Sequence, residues 1–256
     1  MDDWKIFELE CVDYLNKQYG GGFKHLGYSD STVSDIEYKS GLNSFYIEVK
    51  MPVAQSGQFV LLVDQENREF VFSSRNKTKR DESVDFIIEH MNENFEKYVN
   101  AGTAGELINL DQEIFSSWIA NVYREKKVRF IITKWEDYVI LPIEKCGEYF
   151  SITATYRVKK SGSFKVPKKD QEKVLEVIKS MGIDFKLIDG FEIESNQNLD
   201  KFKFKVQSFD YMFRRKVDNI YRVRKLSNTQ NSNVIFSVQL LKNQDFEDLE
   251  LFINSL

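Results

Sequence analysis

The chain has 256 residues, 42% of them hydrophobic, enough for one large domain or two small ones with a packed core. No run approaches the roughly 18 apolar residues of a membrane span, and a net charge of −4 argues on its face against a nucleic-acid partner. Two cysteines (Cys11, Cys146) and two histidines (His25, His90) are too few for a Cys/His zinc site and weigh against a histidine-based catalytic centre. The acidic start, Met1-Asp2-Asp3-Trp4, lacks the pattern of a secretion signal, so a reducing cytoplasm is expected.

The charge is unevenly spread. Residues 151–256 hold 19 Lys and Arg against 14 Asp and Glu, a net +5, which leaves residues 1–150 at −9. Within 201–225 there are nine basic residues and two acids. Such a segment suits a localised surface for a polyanion, or else a solvated lysine face.

In chain order, residues 4–19 predict an amphipathic helix, with Trp4, Phe7, Cys11 and Leu15 at helical spacing and Gly20-Gly21-Gly22 as its stop. Glu8 lies in or beside the apolar stripe, so it either finds a partner or sits at the stripe's edge in water; Glu10 is the weaker alternative. A strand is predicted at 23–28 and a polar turn at 29–32. Then come Ser34-Asp35-Ile36-Glu37-Tyr38 and Phe45-Tyr46-Ile47-Glu48-Val49-Lys50, read as adjacent strands. In the second, Phe45, Ile47 and Val49 point one way and Tyr46, Glu48 and Lys50 the other. Burying Glu48 and Lys50 costs several kcal/mol unless they are paired or hold an ion. Asp35 precedes Glu48 by thirteen residues, a hairpin's distance. Two carboxylates and an ammonium converging there can hold Mg²⁺ and activate a water.

Met51-Pro52 breaks the strand. Residues 53–58 read as a small-residue turn, from which Gln55, Ser56 and Gln58 contact a phosphodiester backbone or the attacking water, or simply satisfy the turn. A buried strand at 59–63 pairs with 69–73. The basic loop 75–80 either holds phosphate or is merely exposed. Helices are predicted at 82–99, with His90 facing solvent, and at 111–123, with Asp111 as N-cap; strands follow at 128–133 and 138–143.

From residue 146 the character changes, and the domains are expected to be 1–145 and 146–256. A strand at 150–158, a turn at 159–163 and a return at 164–167 read as a polar hairpin suited to a DNA groove. It carries Thr155, Tyr156, Arg157, Lys159, Lys160, Ser161 and Ser163. An ordinary exposed hairpin is the alternative. A helix at 168–181 precedes a strand whose apolar Phe202, Phe204 and Val206 alternate with Lys201, Lys203 and Lys205. Arg214, Arg215, Arg222 and Arg224 extend this basic surface, and a strand at 234–241 and a short acidic helix close the chain.

Asp35 followed by Glu48-x-Lys50 resembles the signature of the PD-(D/E)XK nuclease superfamily, with Ser34 where the name-giving proline would stand. Phe7-Glu8 is similar to a first-helix pair found there, and residues 154–163 are similar to recognition segments of some restriction enzymes. The resemblance implies an α+β fold with an α/β/α-like core, a central mixed sheet flanked by helices and a β-rich basic C-terminal part. It implies Mg²⁺ held by Asp35, Glu48 and the carbonyl of Val49, and Lys50 orienting or deprotonating a water or stabilising the pentacovalent state. Glu8 would sit beside this metal or on a second one. The implied activity is sequence-specific cleavage of double-stranded DNA, of the type II restriction kind, in a bacterial or archaeal cytoplasm. A homodimer would cut both strands, and a cognate DNA methyltransferase belongs to such systems. A junction or repair nuclease, and a non-catalytic DNA-binding protein with a structural ion-pair cluster, are the competing readings.

Overall fold

The computed structural model describes residues 3–26, 33–160, 162–227 and 230–256. The chain divides into two compact units, Met1–Arg157 with Ser232–Leu256, and Val158–Asn231. The division does not fall at 145/146, because strands from both sides of that point share one sheet.

In the first unit, helix α1 (Asp3–Tyr19) stops at Gly20-Gly21-Gly22, all three at positive φ. Strands β1 (Phe23–His25), β2 (Ile36–Ser40) and β3 (Asn43–Val49) follow, each antiparallel to the last, with Ile36 opposite Ile47. Strand β4 (Val53–Asp64) runs unbroken through the segment expected to be a turn and pairs with β5 (Glu69–Phe72). The helix predicted at 82–99 is two, α2 (Glu82–Glu93) and α3 (Phe95–Val99), parted at Asn94. His90 is half-buried rather than solvent-facing, its Nε2 lying 3.1 Å from the Tyr98 hydroxyl. Next come β6 (Glu106–Ile108), which sequence reading passes over, α4 (Gln112–Glu125), β7 (Val128–Lys134), β8 (Tyr138–Pro142) and the one-turn α5 (Cys146–Tyr149). The Asp111 side chain caps α4 by accepting from the Glu113 N–H. Strand β9 (Phe150–Lys160) leads out of this unit; β16 (Gln230–Leu240) and α7 (Phe246–Ile253) return to it.

Two sheets result. The first has the order β1-β2-β3-β7-β8, with β7 parallel to β3 and Glu48 opposite Ile131. One face buries Phe45, Ile47, Val49, Phe130 and Ile132 against Phe7, Cys11 and Leu15 of α1 and Phe252 of α7. Glu48, on the alternate register, points to the other face. The second sheet has the order β5-β4-β16-β9-β6. Trp118 of α4 stacks on Phe236 at 4.0 Å between ring centroids, and α4 also packs against β7. Such an aromatic pair adds about 0.5–1.5 kcal/mol beyond its buried area. The fold is α+β, with a mixed sheet flanked by helices as expected.

The second unit holds β10 (Ser163–Lys165), α6 (Lys168–Ser180), β11 (Lys186–Ile188), β12 (Glu192–Glu194), β13 (Lys203–Val206), β14 (Phe209–Val217) and β15 (Ile220–Leu226). Its sheet has the order β11-β12-β15-β14-β13. Val174 and Ile178 of α6 share a core with Phe204, Val206, Tyr211, Phe213, Tyr221 and Val223. Among the described residues β9 and β10 do not pair as the expected hairpin: β10 pairs with β15, Ser163 opposite Leu226, whereas β9 lies between β16 and β6.

Candidate active site

The β2–β3 hairpin brings Asp35, Glu48 and Lys50 together. Asp35 immediately precedes β2, and its Oδ2 accepts from the Val49 N–H at 2.8 Å, so the last residue of β3 fixes the carboxylate. Lys50, just past β3, donates its N–H to the Ile132 carbonyl at 2.9 Å and so extends the parallel pairing with β7. Glu48 and Lys50 emerge on the same side, and Lys50 Nζ donates to Glu48 Oε1 at 2.6 Å. Glu48 Oε2 is buried with no hydrogen-bond partner among the described residues. A buried oxygen left so costs about 1–3 kcal/mol, and more when charged, unless a donor or cation satisfies it. Burial, and then repulsion from Glu48, pushes the Asp35 carboxyl up to about 7 against the pull of Lys50 and the Val49 N–H. Burial alone would weaken the Lys50 ammonium, but Glu48, Tyr123 and Asp35 outweigh it and hold the ammonium charged well above its ordinary range.

Beside Glu8 and Ser56, which sequence reasoning names, the structure places His25 and Tyr123, which it misses. Glu8 is buried, not at a wet edge, and its Oε2 lies 2.7 Å from His25 Nε2. The Tyr123 ring of α4 lies 5.6 Å from Lys50 Nζ. Its hydroxyl meets Ser56 Oγ at 2.8 Å. Ser56 reaches inward because β4 bulges there: Phe236 faces Gly57 and Ser237 faces Gln55, leaving Ser56 as the extra residue. The side chain expected to touch DNA is therefore buried and committed to Tyr123. Neither His25 nor Tyr123 has a local sequence signal, since each acts on a partner distant in the chain.

A cleft of about 820 Å³ gathers Glu8, Asp35, Glu48 and Lys50 with Gln55, Ser56 and Gln58. Gln55 and Gln58 are exposed on β4, their amides 3.4 Å apart. Arg75, Lys77 and Lys79 line the same cleft.

Comparison with known proteins decides the family. A solved structure of HhaI endonuclease in complex with DNA matches with a TM-score of 0.84 and 39% sequence identity, over 99% of this chain and 99% of that one. The chain belongs to the HhaI endonuclease family. No protein-family model matches the sequence, and comparison with curated proteins returns no match.

In this HhaI endonuclease relative the other predicted contact residues fare unevenly. Tyr156 is fully buried, edge-on to Phe70 at 5.2 Å, and so leaves the contact set. Ile152, Ala154 and Tyr156 are the buried face of β9; Thr155 and Arg157 alternate with them and are half-buried, and Lys159 is exposed. Ser161 and the side chain of Lys160 lie outside the described residues. In the second unit, Lys203, Lys205, Arg214, Arg215 and Arg222 are exposed. Arg214 lies opposite Arg222, and Arg224 opposite Met212, so arginines from β14 and β15 share the face turned away from the core. Several are already engaged: Arg222 with Glu192 at 2.9 Å, Arg215 with Asn198 at 2.7 Å, and Arg224 with the Ser163 carbonyl at 2.6 Å.

Proposed function

We propose that the chain is a sequence-specific double-stranded DNA endonuclease of the type II restriction kind, with a Mg²⁺-dependent centre of the PD-(D/E)XK type. The observation that carries the activity is the likeness, end to end, to HhaI endonuclease, whose solved structure holds DNA. The donor set agrees. Among the described residues no three His, Cys, Asp or Glu side chains gather as a metal cage. Mg²⁺ needs none: it binds through one or two carboxylates, keeps waters and takes oxygens from substrate phosphates. Asp35, Glu48 through its unpartnered Oε2, and the carbonyl of Val49 would hold it. Bound there, it supplies a water of lowered pKa and offsets charge growing on the phosphate.

The chain's own groups do the rest. The Val49 N–H keeps Asp35 aimed. Lys50, steadied by Glu48 and the Tyr123 ring, has N–H groups left to orient the attacking water or stabilise a phosphate oxygen. Glu8 is set beside this centre by His25. The arginine and lysine face of the second unit is the proposed reader of sequence, since arginine suits bidentate contacts to guanine. A duplex site has two scissile bonds, and a homodimer would present two such centres at once.

The test is incubation of the purified protein with unmethylated phage DNA, in Mg²⁺ and in EDTA. Discrete bands in Mg²⁺ alone are expected. A smear, or cleavage confined to branched DNA, would point to a repair nuclease instead. On a plasmid with one site, direct conversion to the linear form marks a pair of chains; accumulating nicked circle marks one chain cutting one strand at a time.

A further inference from the structure

We propose that residues 75–79 form a phosphate-binding rim of the cleft, in which Arg75 and Lys77 hold backbone phosphates of the strand being cut. This deepens the endonuclease reading and rests on it.

The loop is built to be still. Beyond the end of β5, Asn76 completes the pairing at Val60, whose carbonyl also accepts from the Ser73 N–H at 3.1 Å: Asn76 Oδ1 accepts from the Val60 N–H at 2.7 Å and Asn76 Nδ2 donates to the Val60 carbonyl at 2.9 Å. The Asn76 N–H donates to the Ser73 carbonyl at 3.1 Å. At the far end Asp81 caps α2 through the Val84 N–H and accepts from Asn121 Nδ2 at 2.8 Å. The cations between these pins are presented by an ordered backbone, which cuts the ordering cost of binding.

They are also available. Lys79 is partly occupied by Glu125 at 3.4 Å. Arg75 and Lys77 are exposed and make no ion pair among the described residues. Thr78 adds a buried hydroxyl with no hydrogen-bond partner among the described residues, also in the cleft wall.

Their placement answers an electrostatic need. The cleft holds the carboxylates Glu8, Asp35 and Glu48. Duplex DNA carries one negative charge per roughly 1.7 Å of axis and is repelled by them. Fixed cations in the same cleft offset that repulsion at a range, about 8–10 Å, where salt does not fully screen it. Arg75 offers a fork for two phosphate oxygens and Lys77 a point charge. Contacts of this kind position the duplex and carry no sequence information.

The test is titration of the full chain, in EDTA, with a fluorescein-labelled duplex of arbitrary sequence at a series of KCl concentrations. The R75A/K77A double variant is expected to lose roughly 1.8 from the slope of log affinity against log salt, about 0.9 per phosphate contact. Arg75→Gln and Lys77→Gln, made singly, should each lose about half of that. Arg75→Lys should keep the slope. Lys17→Ala, which removes an exposed charge outside the cleft, should leave it unchanged. A double variant that melts like the wild type but keeps the wild-type slope and affinity overturns the rim. Mg²⁺-dependent cleavage by the wild type judges the endonuclease reading separately. A chain that cuts DNA but whose double variant keeps its slope sinks the rim alone; one that shows the slope loss but never cuts sinks the endonuclease reading.

Discussion

Lys50 Nζ donates to one oxygen of Glu48 at 2.6 Å, while the other oxygen of the same carboxylate stays buried and unpartnered among the described residues. The ion pair is thus half complete, satisfied on the lysine side and open on the other. Lys50→Ala removes the cation paired with Glu48 and should destabilise the fold by about 3–5 kcal/mol, the usual cost of stranding one partner of a buried pair. Glu48→Gln keeps an oxygen for the Lys50 N–H but strands that buried ammonium in turn, and should cost a comparable amount. Both should lower Mg²⁺-dependent cleavage by about 10²–10³ or more. Thermal melts give a second readout. Mg²⁺ should raise the wild-type Tm and EDTA should reverse it, by an amount near 2.7 kcal/mol when the ion is about 100-fold over its Kd. An equal rise in the Glu48→Gln protein would remove Glu48 from the ion's ligands.

Asp35 sets the pH behaviour of the metal-free protein. Its carboxyl titrates at about 7 in the fold because of burial and then Glu48, against about 3.9 in an unfolded chain. Between those values the folded protein binds the extra proton. Stability therefore falls as pH rises from about 4 to about 7, and the loss is complete above that. Asp35→Asn keeps an oxygen for the Val49 N–H and never ionises. It should stabilise the metal-free protein by on the order of 1–3 kcal/mol at about pH 8. Below about pH 4 it should change nothing. Urea melts at the two pH values decide, and a gain of equal size at both would refute the account.

Tyr123 connects the second sheet to Lys50 through its hydroxyl on Ser56 and its ring near the Lys50 ammonium. Tyr123→Phe keeps the ring and loses the hydrogen bond. It should cost about 1 kcal/mol in stability and little in cleavage rate. Tyr123→Leu removes the ring's attraction for the ammonium, worth about 0.5–2 kcal/mol, and should lower kcat with KM nearly unchanged. If the two variants cut equally well, the ring has no part in placing Lys50.

The convergence of Asp35, Glu48 and Lys50 on one hairpin was legible because its evidence is local. Period-two alternation puts Glu48 and Lys50 on one side of β3, and the short β2–β3 turn brings Asp35 alongside. What sequence misses depends on partners far away. Val53 to Gln58 carry small and polar residues and read as a turn, yet β16, nearly two hundred residues on, makes them a strand. The same pairing creates the bulge that turns Ser56 inward. The Lys-Lys-Ser-Gly-Ser run suggests a hairpin, but β9 finds its partners in β6 and β16, and β10 finds β15. For Tyr156 a usable signal was present: Ile152, Ala154 and Tyr156 alternate with Thr153, Thr155 and Arg157, the mark of a half-buried strand.

Gly57 is the point where the cleft and the core meet. A Cβ there would lie 2.8 and 2.9 Å from two ring carbons of Trp118. Trp118 cannot give way freely, since it is 1% exposed and stacked on Phe236. Gly57→Ala should therefore cost about 1–3 kcal/mol, the range for overpacking a filled interior. Gly102→Ala, where a Cβ meets nothing within 4 Å, is the control. The displacement has an optical signature. Trp4 and Trp135 are 40% and 59% exposed, so Trp118 supplies the buried component of the fluorescence. Its emission should shift to the red in Gly57→Ala and not in Gly102→Ala. Because Trp118 and Gly57 both line the cleft beside Lys50, the same variant should cut DNA more slowly even at temperatures where it is fully folded. Wild-type cleavage and an unshifted spectrum would mean that the ring has room to move, and that Gly57 is not what sets the cleft wall.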